Sequence, residues 1–288
     1  MSDPWAIYEL LLDRVAEVAD HADPALEITL GLVWTLCRGA RSCGLAMTAA
    51  GAPRTLPWAG SLAGRSLREL APWLRDWNPH AASIGLAAVN AALNTEGNPV
   101  LARAAPLVGS GPGNLAVFEH FAPQLADQRV VVIGRYPGLD AYARQLDLTV
   151  LERQPGIGDL PDPACEYLLP QADWVFLTAS SLANKTFPRL AELARAATTV
   201  LMGPGTPWVG ELAAFGIDYL AGVEVQDHDA LRQTVAEGGG VRLFEGPVRY
   251  RLAELRRANH TMLPHASHQS LSSLSPSFKG ANDHGPWI

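Results

Sequence analysis

The strongest constraint on the fold lies in the second half of the chain, where short apolar runs alternate with segments of helical period. The apolar runs are Arg129–Gly134, Leu148–Glu152, Asp173–Thr178, Thr198–Gly203 and Ile217–Val223. Strands that read as continuous apolar runs are buried on both faces, which is typical of a parallel sheet covered by helices. The helical segments that alternate with them are Asp140–Leu146, Ala164–Leu168, Thr186–Ala196, Trp208–Phe215 and His228–Val235. The pattern therefore predicts a doubly wound, Rossmann-like parallel sheet.

The first hundred residues have a different order of elements. A helical stripe over residues 4–19 comes first. It is followed by two predicted strands and two helical patterns, at Ile28–Leu36, Gly44–Thr48, Ser66–Leu74 and His80–Leu93. An order of helix, two strands and two helices predicts a small α+β domain, so the fold class of the whole chain is α/β.

Local composition predicts where the domains meet. Asn98-Pro99 and the run Gly-Ser-Gly-Pro-Gly at 109–113 are typical of a linker. The last thirty residues are rich in Ser, His and Pro and show no period, which is typical of a mobile tail. We therefore predict an α+β domain at residues 1–105, a Rossmann-like domain at 106–258 and a disordered tail at 259–288.

Charge and composition restrict the class of function. The 288 residues carry 22 basic and 29 acidic side chains, for a net charge of −7, so neither nucleic acid nor an anionic membrane is an expected partner. Three cysteines are too few for a disulfide framework, and no apolar stretch reaches the roughly 18 residues that span a bilayer. The amino end has no signal-peptide pattern, and the expected location is the cytoplasm. The sequence leaves open whether the chain forms a homo-oligomer.

Candidate ligand-binding residues follow the predicted strands. Ligands of open α/β sheets bind beyond the carboxyl ends of the strands, where the strand order reverses. Arg135 and Lys185 are the basic side chains there and would hold an anion. Amides at helix starts near Thr186 and Thr206 would add to that site, or these threonines simply cap their helices, as Asn184 could. The candidates at the strand ends are Gly134, Arg135, Glu152, Thr178, Asn184, Lys185, Thr186, Gly203, Pro204 and Thr206.

The loop after the first Rossmann strand carries part of a dinucleotide fingerprint. Gly134 and Gly138 are present, but the Gly-x-Gly-x-x-Gly spacing that brings backbone to a pyrophosphate is incomplete. Glu152 stands 18 positions after Gly134, where a ribose-binding acid is expected. Two interpretations stay open: a tight turn followed by a solvated glutamate, or a site for a nucleotide or S-adenosylmethionine-like ligand.

Two amide side chains interrupt the last helical pattern of the first half. Asn90 and Asn94 lie four residues apart and share one face of an otherwise apolar helix. A buried amide must be paired or face a cleft, so Asn90 either contacts a ligand or makes hydrogen bonds between the domains.

Residues that could ligate a metal are sparse. The spacing of Cys37 and Cys43 is not that of a structural zinc site, and several histidines fall in the predicted tail. No arrangement of nucleophile and base can be assigned from spacing, so the metal ligands and catalytic residues stay unassigned.

Ten short segments, in this order along the chain, resemble one protein family. They are Gly44–Thr48, Ile84–Asn94, Val130–Gly134, Val150–Arg153, Gly158–Asp162, Leu169–Asp173, Leu177-Thr178, Asn184–Thr186, Gly203-Pro204 and Ala221–Val223. Their order and spacing over about residues 1–255 are similar to those of the bacterial and archaeal "putative heavy-metal chelation" family, a domain of unknown function. The resemblance implies an enolase amino-terminal-like domain, then a Rossmann-like domain, with a site in the cleft between them.

The resemblance also supplies the leading functional hypothesis. We expect a cytoplasmic protein or enzyme with a ligand in the interdomain cleft, and the resemblance alone implies that it acts in heavy-metal chelation or on an anionic metal-chelating compound. The alternative is a nucleotide- or S-adenosylmethionine-dependent enzyme that uses the strand-end rim. The cofactor is accordingly a metal ion or a nucleotide-like ligand, and whether the chain is an enzyme stays open.

Overall fold

The computed structural model describes residues 3–19, 23–51, 55–143 and 146–255, and the predicted tail lies outside them. Two separate β-sheets, one of three strands and one of eight, form its framework. The helices are α1 Ala6–Val18, α2 Leu67–Leu70, α3 Pro79–Leu93, α4 Pro99–Arg103, α5 Ala116–Phe121, α6 Asp140–Ala143, α7 Cys165–Leu168, α8 Ser180–Ala183, α9 Phe187–Leu193 and α10 His228–Ala236.

The small sheet is an antiparallel meander of β1 Glu27–Leu30, β2 Trp34–Arg38 and β3 Cys43–Met47. The prediction of a single strand over Ile28–Leu36 was wrong, because a hairpin turn divides it at Gly31, whose amide donates to Trp34 O. A Cβ on Gly31 would lie 2.2 Å from Val235 O, so the turn packs directly against the backbone of α10. The turn is apolar in sequence, which is why periodicity alone did not reveal it.

Helix α3 is the central element of the amino-terminal half, and all its residues from His80 to Leu93 are buried. Its first turn is capped by Asn78, whose side-chain oxygen accepts hydrogen bonds from two backbone amides. Glycines allow its close packing: a Cβ on Gly44 of β3 would lie 2.0 Å from Ala87 O, and one on Gly85 would lie 2.0 Å from Leu74 N. The helix backbone therefore lies directly against β3 on one side and the segment 71–75 on another.

The large sheet is doubly wound, as predicted. Its strands follow the spatial order β4-β11-β10-β9-β8-β5-β6-β7, and β5 to β10 pair in parallel. The chain adds β6 and β7 on one side of β5 and then β8, β9 and β10 on the other, so the strand order reverses between β5 and β8. The strands are β4 Ala105–Pro106, β5 Val130–Ile133, β6 Leu148–Glu152, β7 Leu160–Pro161, β8 Trp174–Thr178, β9 Thr198–Met202, β10 Tyr219–Val225 and β11 Val248–Glu254.

Several parts of this half differ from the prediction, among them the two-residue strands β4 and β7, which were missed. Strand β11 was also missed; it pairs antiparallel with β10 and with β4, and its residues alternate between buried and exposed only at its start. The predicted helix Trp208–Phe215 is a 3₁₀ segment, Gly210–Phe215.

Buried apolar side chains form one continuous cluster that extends from α3 to β8 and β9. The division into residues 1–105 and 106–258 stays a prediction.

No helix among the described residues has the length and apolarity that crossing a bilayer requires.

Candidate functional site

A large cleft opens at the carboxyl ends of the parallel strands. Its volume is about 1340 Å³. The loops that follow β5, β6, β8 and β9 form one wall, and residues of the small sheet and of the segment 240–244 form much of the opposite wall. A cleft in this position meets the rule for open α/β sheets, because it includes the point between β5 and β8 where the strand order reverses.

Nine of the eleven candidate residues line this cleft. A binding role for them stays a prediction, but their convergence follows from the parallel sheet, whose strand ends share one edge. They are Gly134, Arg135, Glu152, Thr178, Asn184, Lys185, Thr186, Gly203 and Pro204.

Asn90 does not line the cleft but holds one of its loops in place. Its side chain is fully buried, and Nδ2 donates to Leu45 O at 2.8 Å and to Gly205 O at 2.9 Å. The structure thus agrees with the interpretation of Asn90 as a bridge between the two halves, not with its choice as a ligand residue. Gly205, on the far end of this bridge, lines the cleft.

Thr206 is buried and does not line the cleft, and a binding role for it stays a prediction. Its side chain is buried, its amide donates to Gly203 O, and its hydroxyl donates to Ala221 O at 3.4 Å. No helix begins beside it, since the next helical segment starts at Gly210. Thr206 therefore neither caps a helix nor offers a free amide to an anion.

Arg135 is committed to an internal carboxylate. Its Nε donates to Asp159 Oδ2 at 2.8 Å, and the side chain of Asp159 is almost fully buried. A second carboxylate, Asp140, lies 3.4 Å away. The hydrogen bond from Arg135 holds the pKa of Asp159 below its ordinary value. The pair ties the loop after β6 to the loop after β5, which the short sequence motifs did not indicate.

Glu152 accepts hydrogen bonds from the backbone of both loops. Its carboxylate accepts from the amide of Arg135 at 2.9 Å and from its neighbour Arg153 at 2.7 Å. Glu152 is therefore more than a solvated side chain. The amide beside Gly134 that would face a phosphate is already bound to a carboxylate, and α6 begins only at Asp140. The geometry of a pyrophosphate at a helix start is absent from this loop.

Gly134 marks the place where the ends of β5 and β8 approach each other. Its backbone has a φ of +93°, which favours glycine, and a Cβ there would lie 3.4 Å from the side chain of Thr178. The Thr178 hydroxyl lies 3.0 Å from that of Ser180, so two neutral hydroxyl groups sit at the reversal of strand order. Ser180 also lines the cleft and was missed as a candidate. It follows Thr178 by two positions, so its place at the strand end was a usable signal.

Lys185 has a strained backbone and a half-buried amine. Its φ is +66°, uncommon for a residue other than glycine. Nζ donates to Ala183 O at 2.9 Å and to Asp76 O, and it lies 5.9 Å from the centre of the Trp77 ring. Burial lowers the pKa of Lys185 to about 8. The amine is therefore largely satisfied by neutral carbonyls of this chain.

Asn184 and Thr186 form the turn that precedes α9. The Asn184 side-chain oxygen accepts from the Thr186 amide at 3.0 Å and from the Thr186 hydroxyl at 2.7 Å. This agrees with the capping interpretation of Asn184, and the Thr186 side chain itself makes no capping bond.

Aromatic side chains form a part of the cleft that the sequence reasoning missed. Trp34, Tyr136, Phe244 and Tyr250 all line it, and the rings of Phe244 and Tyr250 stack with centres 4.7 Å apart. Tyr136 follows Gly134 by two positions and could have been noted at the strand end. Phe244 and Tyr250 could not, because they belong to the region of the unpredicted strand β11.

The residues that the structure describes do not fit a metal held by side chains. Among them, no group of three or more His, Cys, Asp or Glu is placed to hold an ion. Burial raises the pKa of Cys43 and of Cys165 to about 11 in each case, which disfavours the thiolate that binds metal. Cys43 contacts a single histidine, with Sγ 3.1 Å from Nδ1 of His228. The histidines of the predicted tail lie outside the described residues.

Fold and site together define an α/β protein with a ligand-sized cleft at the switch point of a doubly wound sheet. Residues 13–93 match the family DUF4213 and residues 116–254 match the family DUF364, both described as "Putative heavy-metal chelation". A protein with unknown function from the DUF364 family of Desulfitobacterium hafniense is 30% identical, with a TM-score of 0.73. The match covers 87% of this chain and 98% of that one. The chain therefore belongs to the DUF364 family, which confirms the resemblance seen in the sequence.

A second solved structure has the same fold. It is a protein with unknown function from the DUF364 family of Pyrococcus horikoshii, 21% identical, with a TM-score of 0.69. The match covers 86% of this chain and 99% of that one. No curated protein matches this chain. The family description suggests a metal-related function.

Proposed function

We propose that this protein binds a small organic molecule with metal-chelating groups in the cleft at the ends of β5, β6, β8 and β9. The observation that carries the proposal is the cleft itself, which lies at the switch point and measures about 1340 Å³. Ligand pockets usually measure about 300–1,000 Å³, so there is room for a whole organic ligand or for a ligand and a second substrate. A bare ion needs no space of this kind.

The scarcity of clustered metal-ligating side chains among the described residues supports a metal that is bound by the small molecule and not by the protein. The family description is metal-related, but the described residues bring no three ligating side chains together. A molecule that carries its own oxygen or nitrogen donors removes the need for such a cluster. The protein would then recognise the organic part of a chelator or of its metal complex.

A binding panel tests the proposal. Purified full-length protein is titrated calorimetrically with Zn²⁺ and Ni²⁺ alone, with organic chelators, and with the preformed complexes. The titrations use a variant with the substitutions His260→Gln, His265→Gln, His268→Gln and His284→Gln, so that ions bound by the predicted tail do not contribute. We expect a chelator or its complex to bind and to raise the melting temperature, because a ligand at 100 times its Kd adds about 2.7 kcal/mol of stability. Tight binding of the bare ions alone would contradict the proposal.

A matched pair of variants locates the binding. Ala50 is exposed and lines the cleft, whereas Ala126 is exposed and does not. Ala50→Trp places an indole in the cleft and should weaken binding about tenfold or more, which corresponds to about 1.4 kcal/mol. Ala126→Trp should leave the affinity unchanged. If both variants bind like the parent protein, the ligand does not occupy this cleft.

A nucleoside-type ligand is the second candidate, because Glu152 ends β6 and lines the same cleft as Gly134 and Thr178. A carboxylate has about four lone-pair sites, and the backbone amides do not fill all of them, so a ribose hydroxyl could still donate to Glu152. Adenosine, AMP and S-adenosylmethionine belong in the same panel, with Ala50→Trp as the test of position.

A further inference from the structure

Arg135, Lys185 and Glu152 line the cleft and are already bound within the chain. Arg135 pairs with Asp159, whose carboxylate is almost fully buried. To release Arg135 toward an anion would leave that carboxylate buried without its partner, which is strongly unfavourable. Lys185 donates to two backbone carbonyls, and Glu152 accepts from backbone amides. Each of the three therefore has partners within the chain that compete with an oppositely charged ligand, although the Glu152 carboxylate keeps unfilled lone pairs.

The other basic side chains of the cleft lie toward the solvent and also have acidic partners. Each is more than half exposed, and an ion pair in such a position contributes about 0–1 kcal/mol because water and salt screen it. An anion that replaced the acidic partner would gain little. These pairs are Arg153–Asp162 at 3.3 Å, Arg189–Glu192 at 2.9 Å with Glu166 also bonded to Arg189, and Arg242–Glu245 at 4.0 Å.

Neutral groups of the cleft have no such competing ion pairs. Thr178 and Ser180 place two hydroxyls at the switch point, and each hydroxyl can donate or accept a hydrogen bond. Tyr136 and Phe244, both half-buried, provide aromatic surface in the same cleft, and the buried ring of Tyr250 stacks on Phe244. Burial raises the pKa of Tyr136, so its phenol stays protonated and uncharged at neutral pH.

We infer that the ligand of this cleft is an uncharged planar aromatic molecule, held by the aromatic side chains and the Thr178 and Ser180 hydroxyls, and not a polycarboxylate or phosphate. The inference rests on the proposed function and narrows it. A chelator of this class carries its donor atoms on an aromatic ring system, as quinolinols and catechols do. It is an alternative to the expectation that Arg135 and Lys185 hold an anion.

A pair of probes that differ by one charge tests the inference. 8-Hydroxyquinoline is neutral at pH 7, and its 5-sulfonate carries one negative charge on the same ring system. Binding of each to the metal-free, full-length protein is measured by calorimetry at low and high salt. We expect the neutral probe to bind at least as tightly as the sulfonate, with an affinity that changes less than about threefold with salt. A free cation in the cleft would instead favour the sulfonate by about tenfold or more.

Variants assign the binding to the aromatic side chains. Phe244 is half-buried and lines the cleft, and Phe215 is half-buried and does not. Phe244→Leu should weaken the neutral probe by about threefold to tenfold, because aromatic pairs add about 0.5–1.5 kcal/mol beyond their buried area. Phe215→Leu serves as the matched control and should have no effect. Lys185→Met should also leave the affinity of both probes unchanged.

The outcomes separate this inference from the proposed function. A sulfonate that binds tenfold tighter and loses this advantage in high salt or in Lys185→Met overturns the inference alone. The same holds if neither quinoline binds but a polycarboxylate chelator does, and Ala50→Trp removes that binding. If no compound of either class binds in a way that Ala50→Trp weakens, the proposed function fails with it.

Discussion

Replacing Asn90 by alanine should release the loop that forms one edge of the cleft. The Asn90 amide is the group through which α3 reaches both β3 and the loop after β9, since Nδ2 donates to Leu45 O and Gly205 O. Alanine has a high helix propensity, so it keeps the helix while it removes the side-chain amide with both donated hydrogen bonds. The carbonyls of Leu45 and Gly205 then lose their partner in a fully buried place.

The magnitude follows from the number of groups left without a partner. Each buried polar group that loses its hydrogen bond costs about 1–3 kcal/mol. The change also removes Asn90 Oδ1, a buried oxygen that has no partner among the described residues, which offsets part of the loss. We therefore expect Asn90→Ala to lower the free energy of unfolding by about 2–4 kcal/mol.

Urea denaturation of the two variants at Asn90 and Asn94 measures this directly. Asn94 lies one turn further on the same face, is half-buried, and makes one longer bond from Nδ2 to Cys43 O at 3.3 Å. Asn94→Ala should cost less than about 1 kcal/mol, with the same slope of free energy against urea. If both variants lose the same free energy of unfolding, the two hydrogen bonds of Asn90 do not account for the larger loss expected of Asn90→Ala.

Three further changes test other parts of the structure. The pKa of Lys185 is about 8 in the folded protein against an ordinary 10.5, so the unfolded chain binds more protons between these pH values. The free energy of unfolding of the wild type, relative to that of Lys185→Met, should therefore rise as the pH rises from about 8. A difference between the two proteins that does not change with pH in a denaturation series would contradict this expectation. Gly44→Ala should cost about 3 kcal/mol or more by thermal denaturation, because its Cβ would lie 2.0 Å from Ala87 O, whereas Gly97→Ala meets no atom within 4 Å and should be nearly neutral. Limited proteolysis should cut first between residues 98 and 115 or in the tail, and early cleavage inside the parallel sheet would argue against the predicted division.

The parallel sheet could be predicted because its strands are short apolar runs of the kind that only a doubly covered sheet buries. Each of the five predicted strands lies within two residues of an observed one. The hairpin at Gly31 could not be predicted in the same way, since Leu32 and Val33 continue the apolar run across the turn. What fixes the turn is its contact with α10, about two hundred residues further along the chain.

The position of the cleft could be predicted from the sequence, but the partners of its charged side chains could not. Strand ends converge in any parallel sheet, so the glycines and hydroxyls after β5, β8 and β9 were expected to share one edge. The partners of Arg135 and Lys185 come from elsewhere: Asp159 is 24 residues from Arg135, and Asp76 is 109 residues from Lys185. A short motif shows that a basic side chain is present. It does not show whether that side chain already binds a carboxylate or a carbonyl of the same chain.

The amino-terminal half shapes the rim of the cleft through hydrogen bonds to its backbone. Loops that leave a sheet lose the ladder partners of their carbonyls, and a buried carbonyl needs a donor from elsewhere. Here the donors are side chains of the first hundred residues, and their acceptors lie in or beside the loops that follow β8, β9 and β10. These bonds run from Tyr8 to Leu182 O at 3.1 Å, Trp34 to Gly240 O at 3.0 Å, Asn90 to Gly205 O at 2.9 Å, and Asn98 to Trp208 O at 2.9 Å.

This dependence explains why a Rossmann-like sheet with an incomplete phosphate fingerprint can still carry a defined cleft. In a dinucleotide site, glycines and a helix start shape the loop around the phosphate. In this protein the loop after β9 is held from outside by Asn90, and the loop after β5 is held by Glu152 and Asp159. Asn90 and Tyr8 do not line the cleft, so substitutions there should alter both ligand affinity and the stability of the fold without removing a contact to the ligand. A change at Phe244 should alter binding more than stability, because this half-buried residue lines the cleft.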